Sequence, residues 1–213
     1  MNEVLTALFE RKSMRAYTGE PVSPEKKELI LKAACATPTA GNQQLYTILD
    51  ITDQCLKEKL AVSCDNQLFI AAAATVLIFC ADCQKWYDAF VAGGCEPRSP
   101  GAGDLMLAVT DCAIVAQNAV VAADSLGLGS CYIGDIMEQC EFHRELLNLP
   151  SYVFPAVMLV IGVPTQQQVE RLKLGRCDLK HIVHENAYCR MDMRWSCGKC
   201  LTRTPASAHI ESG

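Results

Sequence analysis

Three observations predict an α+β fold, one sheet covered by helices. Segments with helical spacing alternate with short apolar runs along the chain, without a regular β-α-β rhythm. Thr75–Ala81 (TVLIFCA) reads as a strand buried on both faces. From Asp104 a helix of about 23 residues carries alanine and valine on every side, the pattern of a helix with no solvent face.

In chain order, residues 3–11 form a short amphipathic helix with Val4, Leu5 and Leu8 on one face. Ser23, Pro24 and Glu25 open the next helix: a hydroxyl cap, proline at the first helical position, and an acid at the positive end of the dipole. It runs to about Ala36, with Ile30, Leu31 and Ala34 inward, and stops at Thr37-Pro38. Residues 46–51 (YTILDI) read as a strand, 53–62 as a helix, and Leu68–Ala74 as a helix leading into the buried strand. Residues 93–104 hold four of the thirteen glycines and two prolines, a loop long enough to be a lid. After the long helix come a short strand near Tyr132, a helix around Glu138–Leu147 and a strong strand at Ala156–Gly162. The alanines of the long helix suit close packing against a symmetry mate, so a homodimer built across it is expected. The tail from Asp178 to Gly213 has no clear period, and wrapping onto a partner subunit would pin it.

Composition narrows the function. The 213 residues suffice for one domain with an appendage, and half of them are hydrophobic against 20% charged, an ordinary globular balance. A net charge of −5 with no extended Lys/Arg run argues against nucleic-acid or anionic-membrane partners. The N-terminus has an acid at Glu3 and no secretory pattern. The most apolar run, Leu68–Ala81, is about 14 residues, below the roughly 20 of a spanning helix. Leu105–Leu128 is broken by Thr110, Asp111, Gln117, Asn118 and Asp124. The expectation is a soluble, cytoplasmic protein. Thirteen cysteines, an odd count, with Cys35, Cys80, Cys112 and Cys131 in apolar segments, read as reduced thiols in a core.

Four segments carry chemistry. Arg11-Lys12-Ser13-Met14-Arg15 packs three cations and a hydroxyl into five residues, which suits phosphate oxygens or, equally, a helix C-terminus. Pro38-Thr39-Ala40-Gly41-Asn42-Gln43-Gln44 is a turn of small and amide residues, able to read the edge of a flat heterocycle or simply to turn. Asp65-Asn66-Gln67 precedes an apolar run, where a helix cap explains Asp65 or Asn66. Gly127-Leu-Gly129-Ser-Cys-Tyr-Ile133-Gly134 leaves a helix and enters a strand, the reverse of a dinucleotide fingerprint, yet its backbone N–H groups could address a ring atom.

Taken together and in this order, the set resembles the nitroreductase family of flavin mononucleotide (FMN) oxidoreductases. The carrying residues are Arg11-Lys12-Ser13-x-Arg15, Pro38-Thr39-x-x-Asn42, Asn66-Gln67, the A-x-x-x-GLGSCYIG run ending at Gly134, the FPAVMLVIGVP strand, and Arg176 before HIVHENAY. The resemblance spans about residues 3–188. It implies a mostly antiparallel central sheet covered by helices, in an intertwined homodimer with FMN at the interface. By the same resemblance, Arg11, Lys12 and Ser13 would hold the phosphate and ribityl chain, and Arg176 would close the phosphate site. Arg15 would sit near the flavin N1/O2 edge, stabilising the charge of the reduced ring. Asn66, with Gln67 beside it, would meet the pyrimidine edge, and the backbone near Ile133 and Gly134 would point at N5 and O4. Pro38, Thr39 and Asn42 would come from the other subunit. NADH or NADPH would deliver hydride to N5 and leave, and a small aromatic or quinone-like acceptor would then take the electrons in ping-pong fashion.

His143, His181, His184 and His209 all lie late in the chain and make no Ser-His-Asp set; His143, on a short charged helix, reads as solvent-facing. A flavin enzyme needs no such dyad, because the cofactor carries the electrons. Trp86, Tyr87 and Phe90, in a lid candidate taken from Lys85 through Pro100, could cover a ring or pack a loop. Residues 1–188 read as the FMN-binding domain and 189–213 as a cysteine-containing tail. Cys197-Gly-Lys-Cys200 there is half a zinc site or a redox pair. The rival reading is a non-enzymatic flavin- or metal-binding protein whose tail holds zinc or a partner.

Overall fold

A computed structural model describes residues 1–190. One compact unit runs from Met1 to Arg171, and a second begins at Leu172. In the second unit the described residues include a 3-10 turn at Leu179–His181 and the His184–Tyr188 ring pair.

Four strands form the sheet of the first unit: β1 (Tyr46–Ile51), β2 (Thr75–Asp82), β3 (Gly129–Ile133) and β4 (Val153–Gly162). Their spatial order is β1-β2-β4-β3, with every neighbouring pair antiparallel. The antiparallel sheet covered by helices that the sequence implied is present. β2 is buried along its whole length, and its side chains alternate between two cores as a period of two demands. Leu77, Phe79 and Ala81 join Ile30 and Ala34 of α2 (Pro24–Cys35) and the inward side of α6 (Ala102–Ser125). Val76, Ile78 and Cys80 face the opposite way, onto Leu60 of α3 (Gln54–Ser63), Ile70 of α4 (Phe69–Ala72) and Ile136. A helix layer therefore covers each face. The first helix, α1 (Glu3–Glu10), buries none of its residues, and α5 (Gln84–Ala92), α7 (Cys140–Leu146) and α8 (Gln166–Glu170) complete the set.

Most elements fall where the sequence places them. Ser23 caps α2, its hydroxyl accepting from Lys26 N–H at 3.3 Å. The excursion before the long helix differs in part: residues 93–101 are loop, but Gln84–Ala92 is helical, its Lys85 N–H held by Asp82 Oδ1 at 3.1 Å. Helix α6 departs from the expectation of burial on all sides. Ala108, Asp111, Cys112, Val115, Ala116, Ala119, Val120 and Ala123 are buried, whereas Met106, Leu107, Ala113 and Ile114 are exposed. The sheet and α2 cover one flank only. By length and composition α6 could cross a membrane; in this fold it lies against the sheet. Cys80, Cys112 and Cys131 are buried free thiols as expected, but Cys35 is exposed, because it ends α2 one residue past the inward Ala34. Cys177 is disulfide-bonded rather than reduced.

Candidate active site

The cationic segment leaves α1 and lies along the start of β3. Met14 N–H donates to Ser130 O at 2.9 Å, and Ser13 forms a parallel bridge with Ser130. Two glycines make this possible. Gly129 and Gly162 face each other in the β3–β4 register. A Cβ on Gly129 would stand 2.7 Å from Met14 Cγ, and one on Gly162 would stand 2.8 Å from Tyr17 Cδ1. Met14 and Tyr17 thus rest directly on backbone. The Tyr17 hydroxyl donates to Met14 O at 2.8 Å and closes the loop. In the glycine-rich run, Gly129 therefore works as a seat for the segment 115 residues earlier in sequence.

The cations then diverge. Arg11 holds Nε and Nη2 buried with no hydrogen-bond partner. Its guanidinium opposes the burial that raises the carboxyl of Asp124. Lys12 turns the other way, its ammonium donating at 2.5 Å to the carbonyls of both Val169 and Arg171 at the end of α8. Arg15 is exposed; its N–H donates to Gln168 Oε1 at 3.1 Å, and its side chain offsets part of the burial that pushes the Cys131 thiol up. Arg171 donates to Ser13 O. The sequence does not mark Gln168 and Arg171, because QQQVER looks like any polar connection and its partners lie more than 150 residues away. A cleft of about 450 Å³ opens beside Arg11 and Lys12, bordered by Glu10 and Asp124.

A second wall stands at the far end of β3. Asp65 and Asn66 are consecutive left-handed residues, with φ of 59° and 51°. They do not cap α4: its first flanking residue is Leu68, which makes no side-chain cap bond. Gln67 Nε2 donates to Cys64 O at 2.9 Å and to Asp135 Oδ2 at 2.7 Å, tying this turn to the residue after Gly134. From Ser130 to Gly134 the edge strand advances about 13 Å. Arg11, Ser13, Arg15, Ile133, Gly134, Asn66 and Gln67 therefore border one edge of the sheet. His143 is not solvent-facing. It is fully buried, with Nδ1 2.8 Å from Ile136 O and Nε2 2.8 Å from Ser63 Oγ. Its helix is charged, but one side of it packs on β4.

Pro38, Thr39 and Asn42 lie elsewhere. Their loop is held by Asp111, a carboxylate buried on α6 that accepts from Ala40 N–H and Leu45 N–H, both at 3.2 Å. The loop ends at Tyr46, opposite Ala81 and so beside Phe154, whereas Ser13 is aligned through Ser130 with Ile161. Seven residues along β4 and four strand spacings across, the last from β3 to Ser13, put Tyr46 and Ser13 about 30 Å apart. Next to the loop is a cavity of about 440 Å³ lined by Gln43, Trp86, Tyr87, Phe90, Arg98 and Leu107, among others. Trp86 Nε1 donates to Gln43 O at 2.7 Å, and its ring lies 5.9 Å from that of Phe90. The aromatics thus pack the loop and wall the cavity together. Arg176 falls in the second unit, and Cys197 and Cys200 lie outside the described residues. Among the described residues no three His, Cys, Asp or Glu side chains converge as metal ligands.

The residues along the β3 edge fit FMN, the group the resemblance implies. A phosphate would satisfy the two orphaned Arg11 nitrogens, and the polar turn at Asn66 and Gly134 offers donors and acceptors for a pyrimidine edge. Residues 8–163 match the sequence model of the Nitroreductase family. The chain belongs to this family. Among curated nitroreductase relatives, it is 36% identical over 193 residues to an oxygen-insensitive NADPH nitroreductase of Salmonella typhimurium, covering 90% of this chain and 77% of that one. It is 31% identical to an FMN reductase [NAD(P)H] of Bacillus subtilis, covering 90% and 77%. Its fold superposes on that of NfrA2 from B. megaterium with a TM-score of 0.84 at 34% identity, over 89% of this chain and 76% of that one.

Proposed function

We propose that this nitroreductase, an FMN-dependent NAD(P)H oxidoreductase, acts in the cytoplasm as a homodimer. It passes electrons from NADH or NADPH to small electrophilic acceptors such as nitroaromatics or quinones. The observation that carries the cofactor assignment is the Arg11 guanidinium, whose buried, unpartnered Nε and Nη2 await an anion. When bound, FMN supplies two-electron exchange, first with the nicotinamide and then with the acceptor, in alternate occupancy of one face. The chain's residues do the holding and aiming. Arg11 and Ser13 grip the phosphate end, with Lys12 fixing α8 beside them. Arg15 lends positive charge to the pyrimidine edge, where the reduced ring is anionic. Asn66, Gln67 and the backbone at Ile133 and Gly134 orient that edge.

The separation of the two corners supports a site shared between chains. Within one chain, the loop of Pro38, Thr39 and Asn42 ends at Tyr46, about 30 Å across the sheet from Ser13. A second copy brings its own loop instead. The exposed apolar residues of α1 and α6 (Val4, Leu5, Leu8, Phe9, Met106 and Ile114) offer the surface for it. Initial rates measured with NADPH and a quinone varied together should give parallel double-reciprocal lines. Intersecting lines would refute alternate occupancy.

A further inference from the structure

Ser63, Cys64 and His143 look at first like a nucleophile beside a base. Nε2 of His143 is 2.8 Å from Ser63 Oγ and 3.9 Å from Cys64 Sγ. Cys64 and His143 are both fully buried, and burial pushes the Cys64 thiol up to about 11. No substrate reaches the pair and no thiolate is available, so the cluster is not a second active centre.

Its position gives it another task. A carbonyl only accepts, so the short contact to Ile136 O places the proton on Nδ1. With the ring's one proton on Nδ1, Nε2 accepts, and Ser63 O–H donates to it at 2.8 Å in preference to Leu60 O at 3.3 Å. Ser63 is the last residue of α3, separated by Cys64 alone from the left-handed Asp65-Asn66 pair. Ile136 lies in the 3-10 turn Asp135–Met137, immediately after Gly134. One buried ring thus joins the roots of two turns. Two outer bridges repeat the link: Gln67 to Asp135 at 2.7 Å, and Gln139 Nε2 to Ser63 O at 3.1 Å. Two non-glycine residues in succession at positive φ persist only where their surroundings hold them. This clamp supplies that hold.

We infer that His143 is a positioning residue. Through Ser63 and the Ile136 carbonyl it fixes the Asn66 turn against the Gly134 turn, and so sets how both meet the pyrimidine edge of FMN. The inference rests on the FMN reading above. The test uses Ser63→Ala and His143→Asn, which remove one bond from its two ends, together with the double variant. Asn at 143 keeps a donor near the Nδ1 position for Ile136 O. The readouts are the FMN dissociation constant from fluorescence titration, the midpoint potential of the bound flavin, and the melting temperature of the apoprotein. Each single variant should weaken FMN about tenfold, the scale of one lost buried hydrogen bond, and shift the potential in a common direction. The double variant should add little to either, as expected for two ends of one interaction. A lower melting temperature with unchanged FMN affinity and potential would overturn the inference and leave His143 a core residue. Fully additive effects in the double variant would overturn it too. An unaltered chain that takes up no FMN would instead overturn the FMN reading, and this inference with it.

Discussion

Replacing Arg11 with methionine separates the two states of the site. In the apoprotein Arg11 carries two buried nitrogens with no partner. Each such donor costs about 1–3 kcal/mol. Methionine keeps much of the apolar stem and removes those donors, so the apoprotein should melt no lower than the unaltered chain. With FMN bound the order reverses. A phosphate meeting both nitrogens makes two charge-assisted bonds of about 1.5–3 kcal/mol each, so their loss at the lower limit is about 3 kcal/mol. At about 1.4 kcal/mol per decade that is roughly a hundredfold weaker binding. Asp124 adds a pH signature. Burial raises its carboxyl and Arg11 opposes the rise, so the variant should shift it further upward. An acid whose folded pKa is raised stabilises the fold below its unfolded value and loses that contribution as pH rises through the folded value. The variant apoprotein should therefore compare better with the unaltered chain at pH 5 than at pH 8. Fluorescence titration with FMN and melting curves at the two pH values make the assay. FMN affinity within about threefold of the unaltered chain, against the hundredfold expected, would mean that Arg11 does not hold the phosphate.

Four further outcomes are expected. Gly129→Ala forces a Cβ to within 2.7 Å of Met14 Cγ, so it should cost about 1–3 kcal/mol in urea denaturation and weaken FMN as the Ser13–Arg15 segment lifts. Asp111→Asn keeps one acceptor oxygen for two N–H groups; it should destabilise by about 1.5–3 kcal/mol, and amide exchange should quicken at Ala40 or Leu45. Arg98 and the Gly101 N–H hold the Asp104 carboxyl down at about 2, below its ordinary value of 3.8. A depressed acid stabilises above its unfolded pKa and loses that contribution as pH falls through the folded one. Proteolysis of the 93–101 loop by an acid protease should accelerate between pH 4 and 2, and in Asp104→Asn the loop should already be fast at pH 4. Ile114→Glu places a charge on the exposed stripe of α6 and should give monomers in sedimentation velocity, with FMN affinity falling in parallel.

Local signals made most of the architecture legible. Ser23-Pro24-Glu25 marks the start of α2 because a cap, a proline and a dipole-complementing acid act within one turn. β2 announces itself because two covered faces require an unbroken apolar run. What escaped depends on distant partners. The charged flanks of His143 hide a ring whose contacts are Ser63 and Ile136. Asp111 reads as an interruption of an apolar helix until the N–H groups of Ala40 and Leu45 are seen to need it. Lys12 reads as a cation for phosphate, and nothing local in the sequence shows that two of its three donors meet the carbonyls of Val169 and Arg171. Of the site, the order of motifs gave the family. Only the sheet register shows that the Pro38–Asn42 loop and the Arg11–Arg15 segment stand at opposite corners.

The visible spectrum of the purified chain, recorded anaerobically before and after NADPH and then NADH, reports cofactor and electron donor in one experiment. A flavin spectrum at one FMN per chain, bleached by a reduced nicotinamide and restored by a quinone, is expected. A colourless protein that fails to take up added FMN would contradict the FMN assignment.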